Sequence, residues 1–425
     1  MTLTKNNIVA LMKKVSLDLG IHPHQLKLAD LIEVEPTISE WKLRPLGGLK
    51  GLKLYFSPPL VDLVTIHEQS ILSKSTKGKL KKQEVEEYEK YIAAEVLKKI
   101  TPVKVKSFKS TSKKKCKVKR HVVAMLNDIH IGLNVDKEEV DGINEFNFEI
   151  ASRRIAMFTK EVCEYKKSSR DDVERMHFLL NGDLIAGVIH GLMSRDLELL
   201  THQTNAAIHI LTNSITRIAE SYKNVTVYFS TGNHGDLPHR REGGHRVTSQ
   251  IYDSIEAQIF YAISAAHRKT KNVIFKCNKT TYMDIDLPSG RAIFTHGHIM
   301  FSKQLGNPGR NINVKGLSDS IMKFNNGEKK KGKPPVKLIL LGHTHANFSF
   351  VTEDGVKVYN APSLSGVDSY AFQLGIVHNM IGQLVFESTD RYMFGDSRLV
   401  EVQEADYDKS LDQIINPYDK ELVWE

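Results

Sequence analysis

The sequence predicts an α/β protein in which two mixed sheets flanked by helices form a sandwich, preceded by a small, mainly helical N-terminal module. Three observations support this prediction. From residue 121 onward, apolar strands that end in polar loops alternate with long helices. Beyond residue 268, short strands follow one another. Residues 1–60 show helical spacing instead. Alternating β and α units followed by strand-rich sequence are typical of two packed sheets covered by helices.

The N-terminal module is expected to span residues 1–60. Apolar residues recur at helical spacing over residues 4–19, namely at Ile8, Leu11, Val15 and Leu19. A second short helix is expected in HPHQLKLADLIEV, and the capping box T-x-x-E of TISE precedes a third, basic element. Three short helices of this kind fit a helix-turn-helix or winged-helix module. A small helical cap on the main domain explains the same pattern.

Residues 61–120 are expected to form a charged helical spacer that ends in a basic linker. The stretch KLKKQEVEEYEKYIAAEVLKKI predicts one or two charged helices, which suit a spacer or self-association into a homo-oligomer. Nine basic residues and no acid lie between Lys104 and Arg120. Residues 1–120 carry 25 basic and 12 acidic side chains, a net charge of +13, whereas the whole chain carries +9. Such a block attracts polyanions through counterion release, although a solvated linker has the same composition.

The remaining composition excludes several classes of protein. No apolar run approaches the ~18 residues that a membrane span needs. The first residues, MTLTKNNIVALMKK, lack the pattern of a secretory signal. The three cysteines form no C-x-x-C pair, which argues against a disulfide framework and a structural zinc knuckle. We therefore expect a cytoplasmic protein with no membrane partner.

The main domain is expected to span residues 121–395. It begins with three strand–helix pairs: HVVAMLND and 147–167, RMHFLLNGD and 199–222, VTVYFSTGN and 246–268. Short strands follow in NVIFKC, TYMDIDL, RAIFTHGH, VKLILLGHTH, VKVYNAP and LGIVHNM. The segment FNNGEKKKGKPPVK is expected to be a mobile loop. Residues 396–425 hold nine acids and three bases and are expected to form an acidic, loosely held tail.

Side chains that bind metals follow five of these strands. The five motifs are Asp128-Ile129-His130, Gly182-Asp183, Gly232-Asn233-His234, His296-Gly297-His298 and Gly342-His343-Thr344-His345. Ligands of α/β sheets bind beyond the carboxyl ends of the strands, and the glycines let backbones approach closely. Imidazole and carboxylate without thiolate favour manganese, iron or zinc. A carboxylate that is shared between two such ions can bridge them. Two-metal sites of this kind catalyse in-line displacement at phosphorus. Each motif alone is common in loops, but their joint occurrence predicts a dinuclear metal site.

The order D-x-H, G-D, G-N-H, a single His and G-H-x-H resembles the calcineurin-like metallophosphoesterases over residues 121–370. The resemblance implies the metallophosphoesterase α/β sandwich and two divalent metal ions, with Mn²⁺ expected and Fe, Zn or Mg as alternatives. It also implies the ligands. One metal would be held by Asp128, His130 and His345, the other by Asn233, His296 and His343, and Asp183 would bridge the two.

The resemblance implies that His234 stabilises the phosphoryl group or protonates the leaving oxygen. Members of the family carry Asp or Glu directly after the G-N-H histidine, where it can orient the ring. This chain has Gly235 at that position and an acid, Asp236, one residue later. Asp236 is therefore the candidate for the orienting role.

The first motif also points to a substrate. Its form, D-x-H-x-G from Asp128 to Gly132, resembles the SbcD-type nucleases and the small subunit of archaeal family D DNA polymerase, whose second motif is similar to GDLIAG. A small N-terminal module joined to this core also resembles phage-encoded nucleases that degrade host DNA, which would act in the host cytoplasm. These resemblances imply a nuclease that hydrolyses DNA phosphodiesters.

Five further residues are candidates for contacting the substrate: His190, Arg240, Arg241, Arg246 and His298. The arginines follow the G-N-H motif and would bind a DNA backbone without reading its sequence. For His190, a loop histidine with no role fits equally well. Two other functions stay open. A phosphodiesterase or phosphatase acting on small nucleotides explains the core alone, and a non-catalytic DNA-binding protein with a relic site explains the charge. The filled ligand positions count against the relic site.

Overall fold

A computed structural model of the 425-residue chain describes residues 8, 11, 12, 14, 15, 18, 26–34, 100–108, 118–168, 173–188, 197–236, 254–278, 280–306, 312–376, 380–402 and 407. The chain divides into two compact units, Met1–Ile92 and Ala93–Glu425. Several predictions lie outside the described residues: most of the N-terminal module and the spacer, His190, and Arg240, Arg241 and Arg246.

The described residues of the first unit are mainly helical. Helix α1 spans Leu28–Val34, within the second helix that the sequence predicts. Residues 8, 11, 12, 14, 15 and 18 are also helical. Ile8, Met12 and Val15 are buried at this spacing, whereas Lys14 is exposed. The amphipathic pattern predicted for the first helix is thus present at the positions that the structure describes.

Among the described residues, the strands and the longer helices lie in the second unit. Its strands are β1 (Arg120–Leu126), β2 (Arg175–Asn181), β3 (Val225–Ser230), β4 (Val273–Cys277), β5 (Met283–Leu287), β6 (Gly290–Thr295), β7 (Val336–Leu341), β8 (Phe348–Val351), β9 (Lys357–Asn360), β10 (Gly382–Thr389) and β11 (Ser397–Glu401). Its helices are α2 (Phe148–Ser168), α3 (Leu200–Ser221), α4 (Ile255–Ala266), α5 (Ser302–Leu305), α6 (Val314–Lys330) and α7 (Ser369–Gln373), with a 3-10 helix at Lys137–Val140. No helix in the described part of the chain is long and apolar enough to cross a membrane.

The strands form two mixed sheets, which confirms the predicted fold class. The first sheet has the order β11-β10-β1-β2-β3-β4, in which β1 to β4 are parallel and β10 runs antiparallel to β1. The second has the order β5-β6-β7-β9-β8, in which β6, β7 and β9 are parallel. The carboxyl ends of parallel strands in each sheet therefore share one edge.

The alternation of side chains along each strand builds a layered core. In β1, Val123 and Met125 face the cluster between the sheets, which also contains Phe294 and Leu340 of the second sheet. Their neighbours Val122, Ala124 and Leu126 face the opposite way and pack with residues of α2, α3 and α4. On the second sheet, Ile293 and Ile339 pack with Leu317 and Ile321 of α6. Successive residues of a strand point to opposite faces, so both sheets are covered by helices on their outer sides.

The beginning of the basic linker is anchored to the second unit. The amide of Val103 donates to the carbonyl of Ala266 at the end of α4, at 3.0 Å. The amide of Lys106 donates to the carboxylate of Glu220 near the end of α3, at 3.2 Å. Arg120, at the end of the basic run, is paired with Glu387 of β10. Residues 109–117 of the run lie outside the described residues.

Two predictions for local structure were wrong. Residues 324–330 of the expected mobile loop belong to α6, because Asn313 caps the helix through the amide of Gly316 and the helix buries Leu317 and Ile321 against the second sheet. In LGIVHNM, residues 374–376 form a turn that ends α7. The amide of Ile376 donates to the carbonyl of Ala371, and Gly375 adopts a left-handed φ of +81°. Glycine-terminated helix ends of this type satisfy the last carbonyls.

The sheet extends past residue 395. Strand β11, Ser397–Glu401, pairs antiparallel with β10 and contributes the buried Val400 to the core. The expected acidic tail of residues 396–425 therefore begins with an ordered strand. Beyond Val402, only residue 407 is among the described residues.

Candidate metal centre

Side chains predicted to bind metal converge where five strands end. Asp128 and His130 follow β1, Asp183 follows β2, and the loop of Asn233 and His234 follows β3 in the first sheet. His296 directly follows β6 of the second sheet, and the pair His343 and His345 follows β7. The site thus occupies the carboxyl edge of parallel strands from both sheets, which is where α/β sheets bind their ligands.

Six of the predicted ligands, together with His234, form three overlapping groups of ligand atoms, with each group's atoms within 4.8 Å of one another. The groups are Asp128, His130 and His345; His130, Asp183 and His234; and Asp183, His296 and His343. His130 links the first group to the second, and Asp183 links the second to the third. A carboxylate that belongs to two groups has the position expected of a bridging ligand.

Backbone hydrogen bonds join the two loops that carry the carboxylates. The amide of Asp128 donates to the carbonyl of Gly182 at 3.2 Å. The amides of Ile129 and His130 both donate to the carbonyl of Asp183 at 3.0 Å. The loop after β7 is tied to the same place, because the amide of His343 donates to Oδ2 of Asp128 at 3.0 Å. The relative positions of Asp128 and Asp183 are therefore set by the backbone.

Left-handed backbone conformations concentrate at this site. Among the described residues, six non-glycine residues have positive φ, and five of them are proposed ligands: Asp128, His130, Asp183, His343 and His345, with φ between 47° and 73°. Such conformations cost on the order of 1–3 kcal/mol each and persist where the surrounding structure enforces them. Their clustering at one edge of the sandwich indicates that side-chain position outweighs local stability here.

Glycines at the strand ends allow the loops to approach closely. A Cβ atom on Gly232 would lie 1.9 Å from Oδ1 of Asp183, and one on Gly342 would lie 2.8 Å from Oδ2 of Asp128. Gly182 has a φ of +78°, and a Cβ there would lie 2.5 Å from the amide nitrogen of Gly232. The sequence predicts close backbone approach at these glycines, and the structure confirms it.

Two imidazoles are oriented by backbone carbonyls. Nδ1 of His296 donates to the carbonyl of Asn181 at 2.9 Å, and Nε2 lies 3.1 Å from Oδ2 of Asp183. Nδ1 of His234 donates to the carbonyl of Ala186 at 2.7 Å, and Nε2 lies 3.9 Å from Oδ2 of Asp183. A carbonyl that holds the Nδ1 proton directs Nε2 at the site, where a bound metal would displace any proton on Nε2.

The two buried carboxylates retain their charge. Burial alone raises the pKa of Asp183, but the neighbouring imidazoles of His296 and His234 outweigh it and hold the pKa well below its usual value. The pKa of Asp128 is lowered in the same way, against burial, by His296 and His345. Burial lowers the pKa of His296, yet Asp183 and Asp128 raise it to about 10. The two carboxylates thus stabilise positive charge in a buried site.

These residues fit divalent metal ions. Burial and the neighbouring histidines lower the pKa values of His130 and His343, the latter to about 4, so both imidazoles are neutral at pH 7 as metal ligands must be. Nε2 of His130 faces Nε2 of His345 at 3.1 Å, where two lone pairs can share one cation. The buried Nε2 of His296 makes no hydrogen bond of good geometry. Oxygen and nitrogen donors without thiolate suit Mn²⁺, Fe or Zn²⁺.

The other predicted site residues have different positions. The ring of His298 packs against those of His296 and His343, with centroids 5.2 and 6.1 Å away. Asn233 lies between Gly232, which contacts Asp183, and His234 in the same loop. The ring of His234 is held by the Ala186 carbonyl. The roles of Asn233, of Asp236 and of His298 as a substrate contact stay predictions.

One buried residue of the site was missed in the sequence. Glu256 lies in the first turn of α4, is 0% exposed, and accepts hydrogen bonds from the amides of Leu184 and Gly232. Burial and the charge of Asp183 raise its pKa to about 8. An acid in the first turn of a helix is ordinarily explained by the helix dipole. Nothing in the sequence around Glu256 distinguishes it from such a residue.

Comparisons with known proteins find remote structural likeness only. No family model matches the sequence, and no curated protein matches it significantly. Similar solved structures include a dimetal phosphatase from Danio rerio, with 9% identity and a TM-score of 0.33 over 67% of this chain and 97% of that one. Vps29 with zinc from Entamoeba histolytica is 11% identical, with a TM-score of 0.27 over 66% of this chain and 99% of that one. A 5'-nucleotidase from Candida albicans is 9% identical, with a TM-score of 0.32 over 72% of this chain and 56% of that one. Identity and superposition are too low to assign a family or an activity to this chain.

Proposed function

We propose that this protein is a dinuclear-metal-dependent phosphoesterase of the calcineurin-like type that hydrolyses phosphodiester bonds of DNA. The observation that carries the proposal is the position of Asp183, which belongs to two groups of ligand atoms at the carboxyl edge of both sheets. Its neighbours in those groups are the imidazoles of His130, His234, His296 and His343. A carboxylate shared in this way is the central element of two-metal sites for displacement at phosphorus.

The residues of the site divide into binding and proton-transfer roles. Divalent cations held there would act as Lewis acids on a phosphoryl group and neutralise the charge that develops on it. His234 is suited to proton transfer, because its side chain is 17% exposed whereas Asp183 beside it is 1% exposed. With Nδ1 held by Ala186, Nε2 of His234 is available to a phosphoryl or leaving-group oxygen.

Charge distribution supports DNA as the substrate. The lysine-rich run from Lys104 starts on the same compact unit as the site, anchored through Val103 and Lys106. A cationic segment on the same compact unit as a phosphodiesterase site would raise the affinity for a polyanion without reading its sequence. The resemblance of D-x-H-x-G to SbcD-type nucleases favours the same substrate, Mn²⁺ as the metal and a cytoplasmic site of action, in the host cell if the chain is phage-encoded.

The first experiment compares two substrates and two metal conditions. Wild-type protein should cleave plasmid DNA and the chromogenic diester bis(p-nitrophenyl) phosphate with Mn²⁺ and neither with EDTA. Asp183→Asn, which keeps the shape of the bridging residue, should abolish both activities while circular dichroism and DNA affinity stay unchanged. Mn²⁺-dependent cleavage by Asp183→Asn at the wild-type rate would refute the two-metal assignment.

One observation favours the alternative, a phosphodiesterase or phosphatase acting on small nucleotides. Every proposed ligand lies at or after Asp128 and within the second compact unit, so the site needs no residue of the N-terminal module. The two functions separate when the lysines from Lys104 to Lys119 are changed to Gln. Arg120 is left in place because it pairs with Glu387.

For a DNA nuclease, the lysine variant should bind plasmid more weakly and with a shallower salt dependence, because fewer counterions are released. Its rate on bis(p-nitrophenyl) phosphate should equal that of the wild type. Unchanged salt dependence on plasmid would contradict the role of the basic segment and favour the small-nucleotide alternative.

A further inference from the structure

A buried carboxylate ties together the two loops that carry the central ligands. Oε1 of Glu256 accepts a hydrogen bond from the amide of Leu184 at 2.5 Å, and Oε2 accepts one from the amide of Gly232 at 2.7 Å. Leu184 directly follows Asp183, and Gly232 directly precedes Asn233. Glu256 reaches these amides from α4, a helix that supplies none of the proposed ligands.

The side chain of Glu256 fills the space beside Gly235. A Cβ atom on Gly235 would lie 2.5 Å from Cγ and 3.0 Å from Cδ of Glu256. The φ of Gly235 is outside the left-handed region, so its backbone would accept another residue. Glycine is therefore required at this position by the volume of Glu256 and not by backbone conformation. Gly235 follows the G-N-H motif, where the resemblance described above leads one to expect an acid.

We propose that Glu256 is a positioning residue that supplies, from α4, the carboxyl group for which Gly235 leaves room, and that it fixes the loops carrying Asp183 and Asn233. The inference rests on the proposed metal centre but not on the identity of the substrate. It makes positions 235 and 256 interdependent: either may carry the acid, and the other must then be small.

The contact requires two acceptor oxygens, which a carboxyl group supplies whether or not one oxygen also carries a proton. The two oxygens of Glu256 accept one hydrogen bond from each loop, whereas an amide of the same shape turns an NH₂ group towards one of the two N–H donors. A buried N–H without an acceptor destabilises the folded state, and here the lost hydrogen bond would also release the loop of Asp183. Loss of a group that supports metal ligands from behind lowers metal affinity about 10- to 100-fold.

A rescue experiment tests the exchange of positions. Two C–C bonds of about 1.5 Å each carry Cδ about 2.5 Å from Cβ in a Glu, so a Glu at 235 can place its Cδ within about 0.5 Å of that of Glu256, which lies 3.0 Å from the added Cβ. We expect Glu256→Ala to weaken Mn²⁺ binding about 10- to 100-fold in calorimetric titrations of the full chain. Gly235→Glu alone should weaken it also, because the two side chains collide. The double variant Gly235→Glu/Glu256→Ala should recover most of the affinity.

Matched controls separate the carboxylate from its volume. Gly235→Gln/Glu256→Ala fills the same space without a carboxylate and should not recover Mn²⁺ affinity. Glu328→Gln removes another buried glutamate, which lies in α6 and is bound to Arg291 of β6 and to Lys331 and Lys333 after the helix. It should lower the thermal midpoint and leave Mn²⁺ affinity unchanged. If Glu256→Ala does not fold, Glu256→Gln keeps the volume and takes its place.

The inference fails if Glu256→Ala and Glu256→Gln bind Mn²⁺ like the wild type, or if the double variant with Glu at 235 binds no better than the one with Gln. Failure of the metal centre itself gives a different result, namely no Mn²⁺ binding by the wild type. In that case the thermal midpoint in EDTA still tests the exchange. Gly235→Glu should raise the thermal midpoint when it is added to Glu256→Ala and lower it when it is added to the wild type. A shift in the same direction in both proteins would overturn the proposed exchange of the acid between positions 235 and 256.

Discussion

Gly232→Ala should disable the metal centre through a single methyl group. The added Cβ would lie 1.9 Å from Oδ1 and 2.2 Å from the amide nitrogen of Asp183, whereas Cβ contacts shorter than 3.0 Å essentially do not occur in proteins. Neither atom can move freely, because Oδ1 accepts a hydrogen bond from the amide of His234 at 2.9 Å and the Asp183 carbonyl accepts two from the loop after β1. The two loops must therefore separate by roughly 1 Å, a displacement that costs on the order of 100-fold in rate at an active site.

The overpacking should also lower the free energy of unfolding by about 1–3 kcal/mol. Calorimetric titration with Mn²⁺ and turnover of bis(p-nitrophenyl) phosphate measure the functional loss, and urea unfolding measures the change in stability. Gly327→Ala is the matched control. Gly327 lies within α6 and a Cβ there would meet no atom within 4 Å, so the change should raise stability by about 0.5–1 kcal/mol and leave Mn²⁺ binding unchanged. Wild-type Mn²⁺ affinity and turnover in Gly232→Ala would refute the close approach of the two loops.

Three further predictions concern proton transfer, metal and acid stability. His234→Gln should lower turnover by about 100-fold or more, and elemental analysis should find the same content of bound Mn²⁺ as in the wild type. Loss of Mn²⁺ from this variant would show that His234 is a ligand. Mn²⁺ should raise the thermal midpoint of the wild type, because an ion that binds only the folded state stabilises that state. It should not raise the thermal midpoint of Asp183→Asn. Equal shifts in the two proteins would show that Mn²⁺ binds at another place. Burial raises the pKa of Glu328, but hydrogen bonds from Lys331, Arg291 and Lys333 lower it to about 2. A depressed pKa contributes stability that is present above the ordinary value of 4.5 and is lost as the pH falls towards 2. Urea unfolding at pH 6 and pH 3 should therefore show a smaller loss for Glu328→Gln than for the wild type, and equal losses would contradict the shift.

The strands at the site and the proximity of the proposed ligands were predictable because each motif is encoded within a few residues. Apolar runs identify β1, β2, β3, β6 and β7, and the polar residue that follows each run lies at the carboxyl end of a strand. Parallel pairing then brings these ends to one edge whatever the loops do in detail. For this reason Asp128, His130, Asp183, His296, His343 and His345 could be named together from the sequence, and the structure places them together.

Local pattern was insufficient where an element depends on a distant partner. Residues 324–330 are rich in Lys, Gly and Asn and resemble a loop, yet α6 includes them because its other face packs against the second sheet. The strand expected in LGIVHNM is not formed by residues 374–376, because α7 ends there in a glycine turn. Helix capping and packing decided both cases.

The sequence by itself therefore determined the fold class and the edge of the sandwich at which the proposed ligands lie together. Only the tertiary structure decided how these ligands are held. The left-handed conformations of Asp128 and Asp183 are unfavourable locally and exist because hydrogen bonds between loops enforce them. Glu256 is far from the loops in sequence and contacts them only after α4 packs on the first sheet. Contacts between residues distant in the chain leave no periodic signal, because their spacing depends on the whole path of the chain between them.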